Sequence, residues 1–238
     1  MNRADGGFSV TVRGACCAPA LTNPRFPMKI VLFGATGNIG NVILDEALAR
    51  GHEVTAVVRD PSKLATKHPQ LHVVKGDVAE PASFAVSLGG AEAAIASLND
   101  HADPANVPRQ ATTLLDALAA AHVKRFAWVG GAGSLEAAPG VRVIDDPHFP
   151  EAWKASANAQ IEALKAFRAS TTDVDWTYIS PAAEIAPGER KGHFRVGGEQ
   201  LLVDADGHSK ISIADFAIGV LDRIENGDAA KKRVTFAY

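Results

Sequence analysis

The chain has 238 residues, enough for one large α/β domain and too few for two full ones. Its composition, 47% hydrophobic with only 6% aromatic, suits a parallel sheet covered by helices. A net charge of -3 supplies no basic field and sets nucleic acid aside as a partner. No apolar run approaches the roughly 18 residues that a membrane span needs.

Residues 1–27 show no sustained periodicity and carry Gly6, Gly7, Pro19, Pro24 and Pro27. The one candidate for a secretory signal is interrupted by Arg13 and Gly14. This stretch is expected to be a disordered tail or an upstream extension, with a single domain over 28–238. Both cysteines, Cys16 and Cys17, lie in it side by side and cannot staple distant segments. A reducing, cytoplasmic setting is the simplest expectation.

From Met28 onward, strand and helix patterns alternate. Lys29–Phe33 reads as a strand, and Asn41–Arg50 as a helix closed by Gly51. Glu53–Val58, Leu71–Val74 and Ala93–Ser97 read as strands, Val107–Ala121 as a helix and Arg125–Val129 as a strand. Glu151–Arg168 is a long helix and Asp175–Ile179 a sixth strand. Such alternation predicts βαβ units and a doubly wound parallel sheet of the Rossmann type. After Pro181 the pattern changes. Glu184–Gly198 is rich in glycine and charge, then Gln200–Val203, Asp204–Gly207 and Lys210–Ile213 look like strand, turn and strand. Ser212 and Asp215 have capping-box spacing for a last helix, and Val234–Tyr238 suits a final strand. This part is expected to be a small substrate-side elaboration of the same domain.

The sharpest signal is Gly34-Ala35-Thr36-Gly37-Asn38-Ile39-Gly40, between the first strand and the first helix. Glycines there allow a tight turn, close approach of backbone to a pyrophosphate, and close helix–sheet packing. The helix N-terminus would face the phosphates with free N–H groups and its positive dipole end. At the end of the second strand Arg59 takes the place where an acid would read a ribose hydroxyl, which favours a 2′-phosphate and hence NADP(H), with NAD(H) possible. Lys63 adds charge nearby, and Pro61 assigns the intervening Asp60 to capping.

The G-x-x-G-x-x-G spacing resembles the extended and atypical short-chain dehydrogenase/reductases. Met28–Gly40, Val57–Leu64, Gly76-Asp77-Val78, Trp128–Leu135 and Trp176–Pro181 fall in the order of the NAD(P)H-binding, NmrA-like and flavin-reductase-like branch. The resemblance implies that Asp77 and Val78 flank the adenine and that Ser97 and Leu98 run along the cofactor. It further implies that Pro181 and Ala182 support the nicotinamide. A turn-capping role for Asp77 stays equally open.

Ligands of such sheets bind beyond the carboxyl ends of the strands. There, Gly130 and Gly131 would let a nicotinamide or substrate approach the backbone, and Ser134 comes next as a hydrogen-bonding candidate. Typical short-chain dehydrogenases carry Tyr-x-x-x-Lys on the next helix. This chain has Trp153-Lys154-Ala-Ser-Ala157 instead, which leaves Lys154 as the basic candidate. His148 is a possible proton donor. Without that tyrosine, hydride transfer to a small planar acceptor such as a flavin or quinone fits better than alcohol dehydrogenation. The rival readings are a non-catalytic NADP(H)-binding regulator and an epimerase or dehydratase. Asp204-Ala-Asp-Gly207 fails the calcium-loop pattern and reads as a hairpin turn. The eight histidines show no metal-ligand spacing. The expected partner is a small-molecule substrate; the sequence does not fix the oligomeric state.

Overall fold

The computed structural model describes residues 27–238. The expectation of a tail over 1–27, with Cys16 and Cys17, therefore lies almost wholly outside the described residues.

Strand β1 spans Lys29–Phe33 and runs through the glycine turn into α1, Asn38–Ala49. β2 (Glu53–Val58), β3 (Leu71–Lys75) and β4 (Ala93–Ala96) come next, then α2 (Asn106–Ala120) and β5 (Arg125–Val129). A small antiparallel pair, β6 (Glu136–Ala138) and β7 (Val141–Arg142), precedes α3 (Glu151–Ala169) and β8 (Asp175–Ser180). The chain continues through β9 (Glu184–Ala186), β10 (Arg195–Gly197), β11 (Lys210–Ser212), α4 (Ile213–Asn226) and β12 (Lys232–Ala237).

Among the described residues, eight strands form the main sheet in the order β10-β12-β8-β5-β4-β1-β2-β3. Neighbours run parallel except β10, which lies antiparallel to β12. Strand order reverses at β1, so the carboxyl ends of β1 and β4 flank the switch point where such sheets take ligands. Alternation along β1 feeds both layers: Ile30 and Leu32 pack under α1 and α4, Val31 and Phe33 under α2 and α3. On the α3 side Phe167 meets Phe126, Trp128, Trp176 and Tyr178, with ring centroids 5.4–5.9 Å apart. No described helix is long and apolar enough to cross a membrane.

Three expectations need correction. The first helix begins at Asn38 rather than Asn41, because Gly37 is its N-cap and the motif's last residues already form its first turn. Gln200–Val203 is not a strand: Gln200 makes one isolated bridge to Glu136, and the run's apolar character serves Leu202, which packs on Gly197. The Asp204–Gly207 turn forms, closed by the Gly207 N–H on the Asp204 carbonyl at 3.1 Å, but it joins no hairpin. β11 instead pairs parallel with β9.

The capping spacing before α4 is half used. Ser212 Oγ accepts from the Asp215 N–H at 3.0 Å. The buried Asp215 carboxylate does not take the Ser212 N–H, which donates instead to the Tyr238 hydroxyl at 3.2 Å. The carboxylate accepts from the N–H groups of Lys191 and Gly192 (3.1 and 2.8 Å) and from the Tyr238 hydroxyl (2.6 Å). These bonds strap the β9–β10 connection to the sheet.

Candidate functional site

The three glycines of the turn after β1 differ in what requires them. Gly34 has φ +84°, and a Cβ there would lie 2.0 Å from the Ser97 carbonyl oxygen. A Cβ at Gly40 would lie 2.1 Å from the Gly34 carbonyl oxygen. Both are therefore needed by the fold: one lets the turn pack on the end of β4, the other lets α1 sit on the turn. Gly37 is different. Its φ is -83°, it is exposed, and a Cβ would meet nothing closer than the Gly34 carbonyl oxygen at 3.4 Å, an ordinary contact. Nothing within the protein requires a glycine there. The bare position keeps the mouth of α1 open, and no side chain caps that helix and no acid occupies its first turn. Thr36 and Asn38 are exposed beside it, Ile39 is half-buried, and Ala35 is buried in the core so that it presents backbone only. An open, amide-lined, positively polarised helix mouth fits a diphosphate.

Beyond β2, Arg59 is exposed, and no hydrogen bond or ion pair holds its guanidinium among the described residues. Asp60 turns away: it caps a single 3-10 turn, Pro61–Lys63, accepting from Ser62 N–H at 3.0 Å and Ser62 Oγ–H at 2.6 Å. Those bonds, with Lys63 and Lys75 nearby, hold its carboxyl below the usual range. Arg59 also faces the segment after β4. It assists, behind the Asn106 side chain and the Asp103 amide, in lowering Asp100.

After β3, Asp77 Oδ1 accepts from the Ala79 N–H at 2.9 Å, the turn-capping role that had stayed open. Val78 is buried against the core that contains Phe33 and Phe84. After β4, Ser97 touches the glycine turn, and the Leu98 carbonyl accepts from Gln160 Nε2 at 3.1 Å.

The segment after β5 is fixed from below. A Cβ at Gly130 would lie 2.1 Å from ring carbons of Tyr178, so the packing of β8 explains that glycine. Tyr178 is fully buried. It donates to the Gln160 carbonyl at 2.8 Å, and Trp128 Nε1 donates to Gln160 Oε1 at 3.0 Å. Burial drives the Tyr178 phenol far above its ordinary pKa, so it holds its proton. Gly131 is half-buried, while Pro181 and Ala182 after β8 are buried and present little beyond backbone.

Each of the three candidates for acid–base work has a partner of its own. Ser134 Oγ accepts from buried Arg233 at 2.7 Å, in a group completed by Glu199, 2.5 Å from Arg233. Lys154 pairs with Glu151 one helical turn away at 2.7 Å. His148 stands 96% exposed in a loop, its Nδ1 3.1 Å from Asp146 Oδ1. Sequence reading missed Gln160 and Arg233, which organise the interior beneath the site. Arg233 gave no local signal: it follows Lys231 and Lys232 at the head of β12 and reads as one more solvated charge.

Among the described residues no group of three His, Cys, Asp or Glu is placed to hold a metal. A shallow cavity of about 560 Å³ lined by Met28, Glu53, His72 and Glu92 sits at the opposite, amino-terminal edge of the sheet, away from the glycine turn.

Comparison with known proteins agrees with this geometry. The model of a family described as NAD(P)H-binding matches residues 34–223. The uncharacterized protein YwnB of Bacillus subtilis is 38% identical over 218 residues, covering 87% of this chain and 97% of its own. Among solved structures, a candidate epimerase from Bacteroides thetaiotaomicron is 39% identical over 89% of this chain and 97% of its own, with a TM-score of 0.83. A candidate NADH-flavin reductase from Streptococcus pneumoniae is 34% identical over 88% and 99%, with a TM-score of 0.77. A Rossmann-type sheet, a bare glycine at an open helix mouth and a matched model over most of the chain lead to one conclusion: the protein belongs to the NAD(P)H-binding family.

Proposed function

We propose that the protein is an NADP(H)-dependent reductase that passes hydride to a small planar acceptor, a flavin or a quinone. The amides of Asn38 and Ile39 would take the diphosphate beside the bare Gly37, whose own N–H closes the turn on the Gly34 carbonyl at 3.0 Å, and Arg59 with Lys63 would take the 2′-phosphate. Asp77 and Val78 would border the adenine, Ser97 and Leu98 would run along the nucleotide, and Gly130, Gly131, Pro181 and Ala182 would surround the nicotinamide. When bound, the reduced nicotinamide supplies the hydride; the surrounding backbone orients the rings and excludes water.

One observation carries the acceptor class. The chain has two tyrosines, and both phenols are committed elsewhere: Tyr178 to Gln160 inside the core, Tyr238 to Asp215. Neither can protonate an alkoxide at the carboxyl edge. Ser134, Lys154 and His148 are each engaged with, or set beside, another side chain. An acceptor that delocalises the incoming charge and takes its proton from solvent needs no such group.

Preference for NADP(H) is supported by the unpaired, exposed Arg59 and by the turning of Asp60 toward Ser62. The test is turnover of NADPH against flavins, quinones and aldehydes, followed by loss of reduced-nicotinamide absorbance, with Arg59→Ala in parallel. Flavin or quinone turnover is expected, with aldehydes inert. Loss of a charged phosphate contact is worth about 1.5–3 kcal/mol, so the variant's NADPH affinity should fall by about 10- to 150-fold while NADH is little affected. Tight binding with no turnover would support a non-catalytic binding protein instead. Preferred reduction of aldehydes would overturn the acceptor assignment, and equal losses for both nucleotides the cofactor preference.

A further inference from the structure

The buried face of α3 runs along one stripe, through Phe167, Leu164 with Ala163, and Gln160. Continued toward the helix start by about two turns, the same stripe passes Ser156 with Ala157 and reaches Trp153. What covers the stripe changes along it. Phe167 is packed among aromatic rings, and Gln160 is bonded to Trp128 and to the Leu98 carbonyl. Ser156 hydrogen-bonds the Asn99 side chain at 3.0 Å, and Ala157 touches the turn at Gly133. Trp153 lies beyond the last of these contacts and is 61% exposed. Its two fellow tryptophans, Trp128 and Trp176, are buried.

An indole on the inward stripe of a helix that leaves 61% of its surface exposed presents a flat apolar face. Ser156 and Ala157 anchor the first turns of α3 over the segments after β4 and β5, and Trp153 stands one turn earlier on the same stripe. Lys154, by contrast, points off the stripe to Glu151. We infer that Trp153 is a specificity-determining residue whose indole stacks on the planar acceptor and fixes it over the carboxyl edge of β4 and β5. The inference rests on the reductase reading and names the residue that selects aromatic, planar acceptors over aldehydes. An indole offers a flat apolar face with few rotatable bonds, suited to an isoalloxazine ring and indifferent to an aliphatic carbonyl.

The experiment titrates the full-length protein, saturated with NADP+, into FMN and tracks the flavin's own fluorescence, which stacking quenches. The wild type, Trp153→Phe and Trp153→Ala are compared, with calorimetric NADPH binding and melting temperature measured for each. Wild type is expected to give saturable quenching. Trp153→Ala should weaken it by about tenfold, in line with the loss of a ring stacked on a base. Trp153→Phe, which keeps a smaller face, should stay within roughly threefold. NADPH affinity and melting temperature should be unchanged in both, since the side chain is exposed. Equal FMN affinity in wild type and Trp153→Ala, or no saturable quenching in the wild type, overturns the inference. Failure of NADPH to bind the wild type would instead strike the cofactor reading, and the two failures are read by separate instruments.

Discussion

Substituting alanine at Gly37 and at Gly40 should separate the needs of the fold from those of the ligand. At Gly40 the new methyl would lie 2.1 Å from the Gly34 carbonyl oxygen, backbone against backbone, with no flexible atom to yield. Overpacking of this kind costs about 3 kcal/mol or more. At a few degrees per kcal/mol for a chain of this size, the melting temperature should fall by roughly 6–12 °C. At Gly37 the methyl meets its nearest neighbour at 3.4 Å and φ is -83°, so no strain arises. Reduced freedom of the unfolded chain would stabilise by about 0.4–1 kcal/mol, and the poorer N-cap would offset a similar amount. Stability should stay within about 1 kcal/mol of wild type. The same methyl, however, stands where a diphosphate would approach the helix mouth. Losing one charge-assisted amide–phosphate bond costs about 1.5–3 kcal/mol, or about 10- to 150-fold in affinity. Thermal denaturation and calorimetric titration with NADPH read the two effects separately. A Gly37→Ala protein that melts normally and binds NADPH as tightly as wild type would refute the reasoning. So would a Gly40→Ala protein of undiminished stability.

Gly130→Ala should destabilise by about 3 kcal/mol or more, because its methyl would enter the Tyr178 ring, which Phe167 and Gln160 hold in place; a melting temperature within about 2 °C of wild type would show that the ring can move. Acidification should weaken the strap at Asp215. Burial raises this carboxyl, but bonds from Tyr238, Gly192 and Lys191 outweigh it and leave it below the ordinary 3.8. A lowered carboxylate contributes stability at pH above its unfolded value and loses that contribution as pH falls through the folded one. The stability gap between wild type and Asp215→Asn should therefore be full near neutrality and close below about pH 4. A gap constant down to pH 3 would contradict this.

The sheet was legible in the sequence because its strands are short apolar runs separated by glycine and polar turns. Lys29–Phe33, Glu53–Val58 and Arg125–Val129 coincide with β1, β2 and β5. The glycine turn was legible because its spacing and its place between strand and helix are both local. The region beyond β8 was far less legible. Leu201 and Leu202 read as strand because apolar residues serve a loop packed on a sheet edge as well as they serve a strand. The partners β9 and β11 pair across some two dozen residues, and no periodicity records which short segments meet. The polar interior was equally hidden. Gln160 lies on a helix that reads as ordinary, and only the fold brings it to Trp128 and Tyr178. The acid–base candidates were chosen by their place in the chain, and the fold gave Ser134 to Arg233 and Lys154 to Glu151.

The most direct measurement is isothermal titration of the folded wild-type protein with NADPH and with NADH. A saturable heat for at least one nucleotide, with NADPH the tighter, is the expected result. A protein that melts cooperatively yet gives no heat with either would leave the open mouth of α1 without its ligand and contradict the assignment at its root.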